Sequence, residues 1–161
     1  MSPDRLDSLD WRVLRPSGFN AHTGPMYFAS AGENEWFVTL ELDERHMNHG
    51  GFCHGGVLLT LADTSMGTAA FEAAGRRFCA TISLQSQFIA AAKRGQTLIS
   101  HARLDRMAGG LAFMQAELHA GGRLCMRASG IWKVLARERP LPDTKPAPDA
   151  GGDGAGGDGA R

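Results

Sequence analysis

Apolar and polar residues alternate over Trp36 to Leu42, with Trp36, Val38, Leu40 and Leu42 set against Phe37, Thr39 and Glu41. A period of two over this length predicts a half-buried strand. A second strand is predicted from about Ala80 to Ala90, with Ile82, Leu84 and Phe88 on one face. A third covers about Thr97 to Arg106, with Leu98, Ala102 and Leu104 inward, a fourth Leu111 to His119 and a fifth Leu124 to Val134. Gly109-Gly110 and Gly121-Gly122 separate the last three runs. Paired glycines permit the positive φ angles of a two-residue hairpin turn, so these strands read as an antiparallel meander. A short earlier strand is expected near Pro25 to Ser30, and Trp36, Phe88 and Trp132 are expected in the core.

One segment departs from this period. Val57 to Ala74 contains no proline, is rich in Ala and Leu, and places Leu58, Leu61, Ala62, Ser65 and Ala69 at helical spacing. A helix of that length runs about 27 Å. Gly75 is a natural C-terminal stop. The small side chains Ala62, Ser65, Gly67, Thr68, Ala69 and Ala70 let a sheet close tightly around the helix. One central helix with long antiparallel strands predicts an α+β fold.

Composition narrows the class. The chain has 161 residues, enough for one domain, with 43% hydrophobic and 21% charged residues and a formal net charge of +0. Zero net charge argues against wholesale nucleic-acid binding. No apolar stretch approaches the ~20 residues of a membrane span. The polar start, Met1 to Trp11, lacks the apolar centre of a signal peptide. Cys53, Cys79 and Cys125 are scattered and odd in number, which fits a reducing, cytoplasmic compartment. The organisation expected is an N-terminal extension over 1–19, a folded domain over 20–136, and a flexible Pro/Gly-rich tail over 137–161.

The chemistry concentrates in His46-Met-Asn48-His-Gly50-Gly51-Phe-Cys-His54-Gly55-Gly56, which leads directly into the helix and to Asp63. Four glycines in seven residues mean an irregular backbone brought close to something. The loop ends at a helix N-terminus, where N–H groups lack partners and the macrodipole is positive. Such an end can polarise a carbonyl oxygen, and Gly55 and Gly56 leave room for one to approach. Asp63 follows Gly56 by seven residues and shares its helix face with Leu59 and Thr60. A carboxylate beside Leu59, Leu61, Ala62 and Met66 is costly to bury without a partner or a task. A carbonyl-polarising helix end and a candidate base on one element are the minimum for acyl transfer.

The pattern H-x-N-x-x-G-x-x-H-G-G followed by L-x-D, carried by His46, Asn48, Gly51, His54, Gly55, Gly56, Leu61 and Asp63, resembles the PaaI-like acyl-CoA thioesterases of the hotdog superfamily. The resemblance covers roughly residues 20 to 135. It implies a hotdog fold, a long antiparallel sheet wrapped around one central helix. It also implies hydrolysis of a small aromatic or short- to medium-chain acyl-CoA, with no metal or redox cofactor. The Gly55 N–H then matches the donor that polarises the thioester carbonyl, with Gly56 beside it. Asp63 matches the base or nucleophile, Asn48 the residue that orients water or substrate, His54 the histidine beside the oxyanion site, and Thr81 an assisting hydroxyl. The resemblance further implies a homodimer whose sites combine the loop of one subunit with the carboxylate of the other, and a dimer of dimers is common among such enzymes. The turn Ala90-Ala91-Ala92-Lys93-Arg94-Gly95 departs from the Ser-Pro that many relatives carry. Lys93, Arg94 and Arg106 are candidates for CoA phosphates because ammonium and guanidinium groups suit phosphate.

Plainer readings stand beside these. Asp63 and the three cations could be surface charges, the glycine loop a tight turn, Asn48 a turn former or cap. His54 could be a structural hydrogen bonder and Thr81 an ordinary strand residue. The cluster His46, His49, Cys53 and His54 matches no standard zinc spacing. No Lys-Ser or Lys-Thr follows the glycines as a phosphate loop requires, and Ser65 lacks a nucleophile elbow. Two alternatives to hydrolysis are a non-catalytic acyl-CoA-binding protein and a hydratase or dehydratase acting on enoyl thioesters.

Overall fold

The computed structural model describes residues 6–14 and 18–136. The expected tail over 137–161 lies outside them. Seven strands form one antiparallel sheet: β1 (Arg12–Leu14), β2 (Met26–Ser30), β3 (Glu35–Glu41), β4 (Cys79–Phe88), β5 (Thr97–Ala108), β6 (Leu111–Ala120) and β7 (Arg123–Val134), in the order β1-β2-β3-β5-β6-β7-β4. A four-residue turn of helix, α1 (Asn20–Thr23), precedes β2, and the long helix α2 (Gly55–Ala73) packs on β3 through β7. The chain thus passes from β3 through the glycine-rich loop and α2 to the far edge of the sheet, then returns through the meander. The α+β hotdog architecture is the one expected.

The meander forms as its glycines predict. Gly109, Gly110, Gly121 and Gly122 all have positive φ, from 55° to 75°. Such angles match the twist of a two-residue hairpin loop. Helix α2 begins two residues before the predicted start and ends in a Schellman motif, with Arg76 N–H donating to Phe71 O and Gly75 N–H to Glu72 O. Its buried stripe is Leu58, Leu61, Ala62, Ser65, Met66, Ala69 and Ala70. The one polar member is accounted for: Ser65 Oγ lies 2.7 Å from Ser100 Oγ on β5 and donates to Ala62 O. Gly67 has its reason in packing, since a Cβ there would stand 3.2 Å from Trp132 Nε1.

Three expectations need correction. Phe88 is not core; it is 56% exposed, and Ile82 is 57% exposed. Strand β4 is an edge strand paired only with β7, and the register shifts between Thr81 and Ser83. Ile82 is the extra residue of that bulge, so it leaves the face that Leu84 and Phe88 share. Phe37, expected on the polar face of β3, is fully buried on the side of the sheet opposite Val38, stacked on His101 with ring centroids 4.5 Å apart. Within the N-terminal extension, Arg12–Leu14 pairs with Met26–Phe28, adding a strand that has no alternating signature.

Candidate active site

The start of α2 is built by its cap. His54 is extended, at φ −62° and ψ 136°, and its Nδ1 accepts from the Gly56 N–H at 2.9 Å. This satisfies one orphan donor of the first turn. The Gly55 N–H donates to no group among the described residues. The first turn carries no acidic residue, so its positive end is not neutralised. A Cβ on Gly56 would lie 3.0 Å from His54 Nδ1, and one on Gly55 3.2 Å from Phe88 Cε1. Glycine is thus needed at 56 for the cap, and the Phe88 ring on the edge strand packs beside the Gly55 Cα.

Buried His46 holds the loop in place. Its Nε2–H donates to Thr23 O at 2.6 Å, its Nδ1 accepts from the Asp43 N–H at 2.9 Å, and its carbonyl accepts from the His54 N–H. Asn48 closes the glycine turn: its Oδ1 accepts from the Gly50 N–H at 2.8 Å and the Phe52 N–H at 3.2 Å. Cys53 N–H donates to Ala92 O, which ties the loop to the turn bearing Lys93 and Arg94. Cys53 is buried, and burial pushes its thiol up to about 11. A thiol so poised stays protonated near neutral pH and is a poor nucleophile.

Asp63 stands on the face predicted for it. It lines a cleft of about 290 Å³ with Phe19, Asn20, Leu59, Thr60, Thr64 and Leu84. Leu61, Ala62 and Met66 point the other way, into the core. The carboxylate is therefore half-buried at the core's margin rather than enclosed. Its Oδ1 accepts from Thr81 Oγ1 at 2.8 Å. The bulge at Ile82 makes this geometry: without it, Thr81 and Leu84 could not both face the helix.

The structure brings Asp63 and Thr81 together, and separately Gly55, Gly56 and His54. It does not unite the two groups within one chain. Asp63 follows Gly55 by eight residues, about 12 Å along the axis. The cations also separate. Arg94 pairs with Glu44 at 2.7 Å near the loop. Arg106 is nine residues beyond Thr97, about 30 Å along β5. Phe19, Asn20 and Leu84 escaped sequence reasoning, since their place beside Asp63 follows only from the folded chain. Among the described residues no group of three or more His, Cys, Asp or Glu could hold a metal, and no helix is long and apolar enough to cross a membrane.

A single long helix laid on an antiparallel sheet, entered through a glycine-rich loop and carrying a carboxylate two turns on, defines the hotdog class. The Thioesterase superfamily model matches residues 50–126, which span the loop, α2, β4, β5 and β6. A Pseudomonas aeruginosa protein, PA0474, provisionally named an esterase, is 39% identical over 112 residues, covering 69% of this chain and 84% of that one. The chain belongs to the thioesterase superfamily. The PaaI protein of the E. coli phenylacetic acid degradation operon superposes with a TM-score of 0.64 at 20% identity, over 69% of this chain and 80% of that one. The Streptococcus mutans protein smu.793, solved bound to acetyl CoA, gives a TM-score of 0.61 at 20% identity, over 66% and 85%.

Proposed function

We propose that the chain is an acyl-CoA thioesterase that hydrolyses a small aromatic or short- to medium-chain acyl-CoA as a homodimer. The observation that carries this reading is a carboxylate held by Thr81 in a cleft, on a helix whose first N–H has no partner among the described residues. Family membership and a CoA-bound neighbour of the same fold support it.

The 12 Å between the two groups along one helix calls for a second protomer. One thioester cannot place its carbonyl oxygen on Gly55 and its carbon beside Asp63 of the same chain. The open edge of β4, flanked by exposed Ile82, Phe88 and Ile89, offers the surface for pairing. In the composite site the Gly55 N–H of one chain takes the thioester oxygen. Asp63 of the other removes a proton from water, whose oxygen attacks the carbonyl carbon. The tetrahedral oxyanion is stabilised at the helix end. Its collapse breaks the C–S bond, leaving the free acid and CoA thiolate, which takes up the proton. In the nucleophilic variant, Asp63 Oδ attacks first and water then hydrolyses the mixed anhydride.

His54 acts through the cap, keeping the Gly56 N–H occupied and Gly55 oriented. Asn48 acts through the turn it closes. Lys93 and Arg94 flank the loop where CoA phosphates would lie; Arg106, about 30 Å along β5 in the same chain, would join that contact only from another protomer. The three free cysteines fit a reducing, cytoplasmic setting.

The test is thiol release from a panel of acyl-CoAs. Wild-type protein should turn over at least one compact acyl-CoA, and Asp63→Asn should lower kcat at least about a hundredfold. Full activity in both Asp63→Asn and Asp63→Ala would remove Asp63 from the chemistry. Tight binding of CoA thioesters without turnover would make the protein a non-catalytic binder, and loss of enoyl absorbance without thiol release would make it a hydratase.

A further inference from the structure

We infer that Phe19 is the specificity-determining wall of the acyl pocket and favours arylacyl groups over linear ones of similar size; this rests on the acyl-CoA reading above. Phe19 lines the Asp63 cleft together with Leu59 and Leu84, yet is 70% exposed. A large ring left mostly open beside a half-buried carboxylate has apolar area to lose to whatever enters the cleft. A second ring laid against it gains roughly two- to tenfold in affinity beyond the area buried, a gain a linear chain does not share. The cleft volume of about 290 Å³ sets the scale. It exceeds the ~150 Å³ apolar cavity that takes up one benzene and opens to solvent, so a ring with a short linker is admitted and size alone does not reject a linear chain.

The backbone that bears Phe19 is hydrogen-bonded into the fold. Phe19 caps α1, where the His22 N–H donates to Phe19 O and Thr23 Oγ1 to Asn20 O. The Thr23 carbonyl in turn accepts from His46 Nε2–H at 2.6 Å. His46 is 2% exposed and its own carbonyl accepts from the His54 N–H. One buried imidazole therefore fixes the wall of the Asp63 cleft and the oxyanion loop of the same chain. In a composite dimer these serve two different sites.

The experiment compares wild type, Phe19→Ala and Phe19→Leu. It measures kcat/KM for phenylacetyl-CoA and hexanoyl-CoA, and the affinities of the uncleavable thioethers S-(2-phenylethyl)-CoA and S-hexyl-CoA. Unchanged melting temperatures establish that the variants fold, as expected for an exposed side chain. The phenylacetyl-to-hexanoyl ratio should fall about tenfold in Phe19→Ala, mainly through KM. Phe19→Leu, which keeps bulk but not the ring, should lose the same preference. A ratio within about twofold of wild type in both variants, alongside normal wild-type activity, overturns the inference and leaves the thioesterase reading intact. No turnover by wild type, with a thioether affinity ratio that still falls in Phe19→Ala, overturns the thioesterase reading and keeps the wall. Neither turnover nor thioether binding overturns both.

Discussion

At the scale of single residues, His54 carries the sharpest ambiguity. A histidine immediately before two glycines at a helix start resembles a catalytic residue, and the structure gives it a hydrogen bond to Gly56 N–H that any N-cap side chain could make. Replacing it separates the two roles. His54→Ala should lower stability by about 1 kcal/mol and reduce thiol release by loosening the oxyanion loop. His54→Asn, a strong N-cap residue, should restore most of both. Failure of asparagine to restore activity while it restores the melting temperature would give the imidazole a chemical role. Asp63, Gly55 and Gly56 were legible in the sequence because their relation is local: helical periodicity alone sets which of them share a face. Phe19, Asn20 and Leu84 were not, because they reach Asp63 from segments far apart in the chain. For Asn48 the sequence offered a turn-forming reading, and the hydrogen bonds to Gly50 N–H and Phe52 N–H supply that one.

At the scale of elements, the edge strand decides how the site is built. The period-two pattern revealed β3 to β7, and it failed at Ile82 because a bulge adds a residue without any change in composition. The bulge has a structural counterpart in β7. A Cβ on Gly130 would lie 2.5 Å from Ser83 O and 2.7 Å from Trp132 Cζ3. The bulged backbone and the indole therefore close over a position that only glycine fits. Gly130→Ala should destabilise the protein by about 1–3 kcal/mol, read as a melting temperature lower by several degrees. It should also weaken activity by moving Thr81 off Asp63. A variant as stable as wild type would mean that the β4–β7 pair gives way without strain. Strand β1 was illegible for a different reason: three residues are too few to show a period.

At the scale of the whole molecule, burial of Cys53 links stability to alkaline pH. The folded thiol sits at about 11. An exposed thiol in the unfolded chain ionises near ~8.5. Below that lower value both states are protonated and the group contributes nothing to pH dependence. Between the two values the unfolded chain loses its proton first, so stability falls as pH rises. Chemical denaturation midpoints should drop between about pH 8.5 and 11, and Cys53→Ala should make that slope shallower, the part left being that of Cys79 and Cys125, whose thiols burial also raises. An unaltered slope in the variant would place its origin elsewhere.

The central claim is that Asp63 of one protomer and the Gly55 N–H of another act on one thioester. Gly55→Pro removes that N–H on a compatible backbone, since proline suits the first position of a helix and His54 already has the extended backbone that precedes proline; the ring it adds meets only the exposed Phe88 side chain, which must shift slightly. The most direct measurement is thiol release after unfolding and co-refolding equal amounts of Asp63→Asn and Gly55→Pro. Each variant alone should be nearly inactive. Half of all dimers would be mixed, and each of these would carry one intact site of its two, so activity should return to about one quarter of wild type. A mixture no more active than its parents, with exchange of subunits verified by mass, would contradict a site shared between protomers.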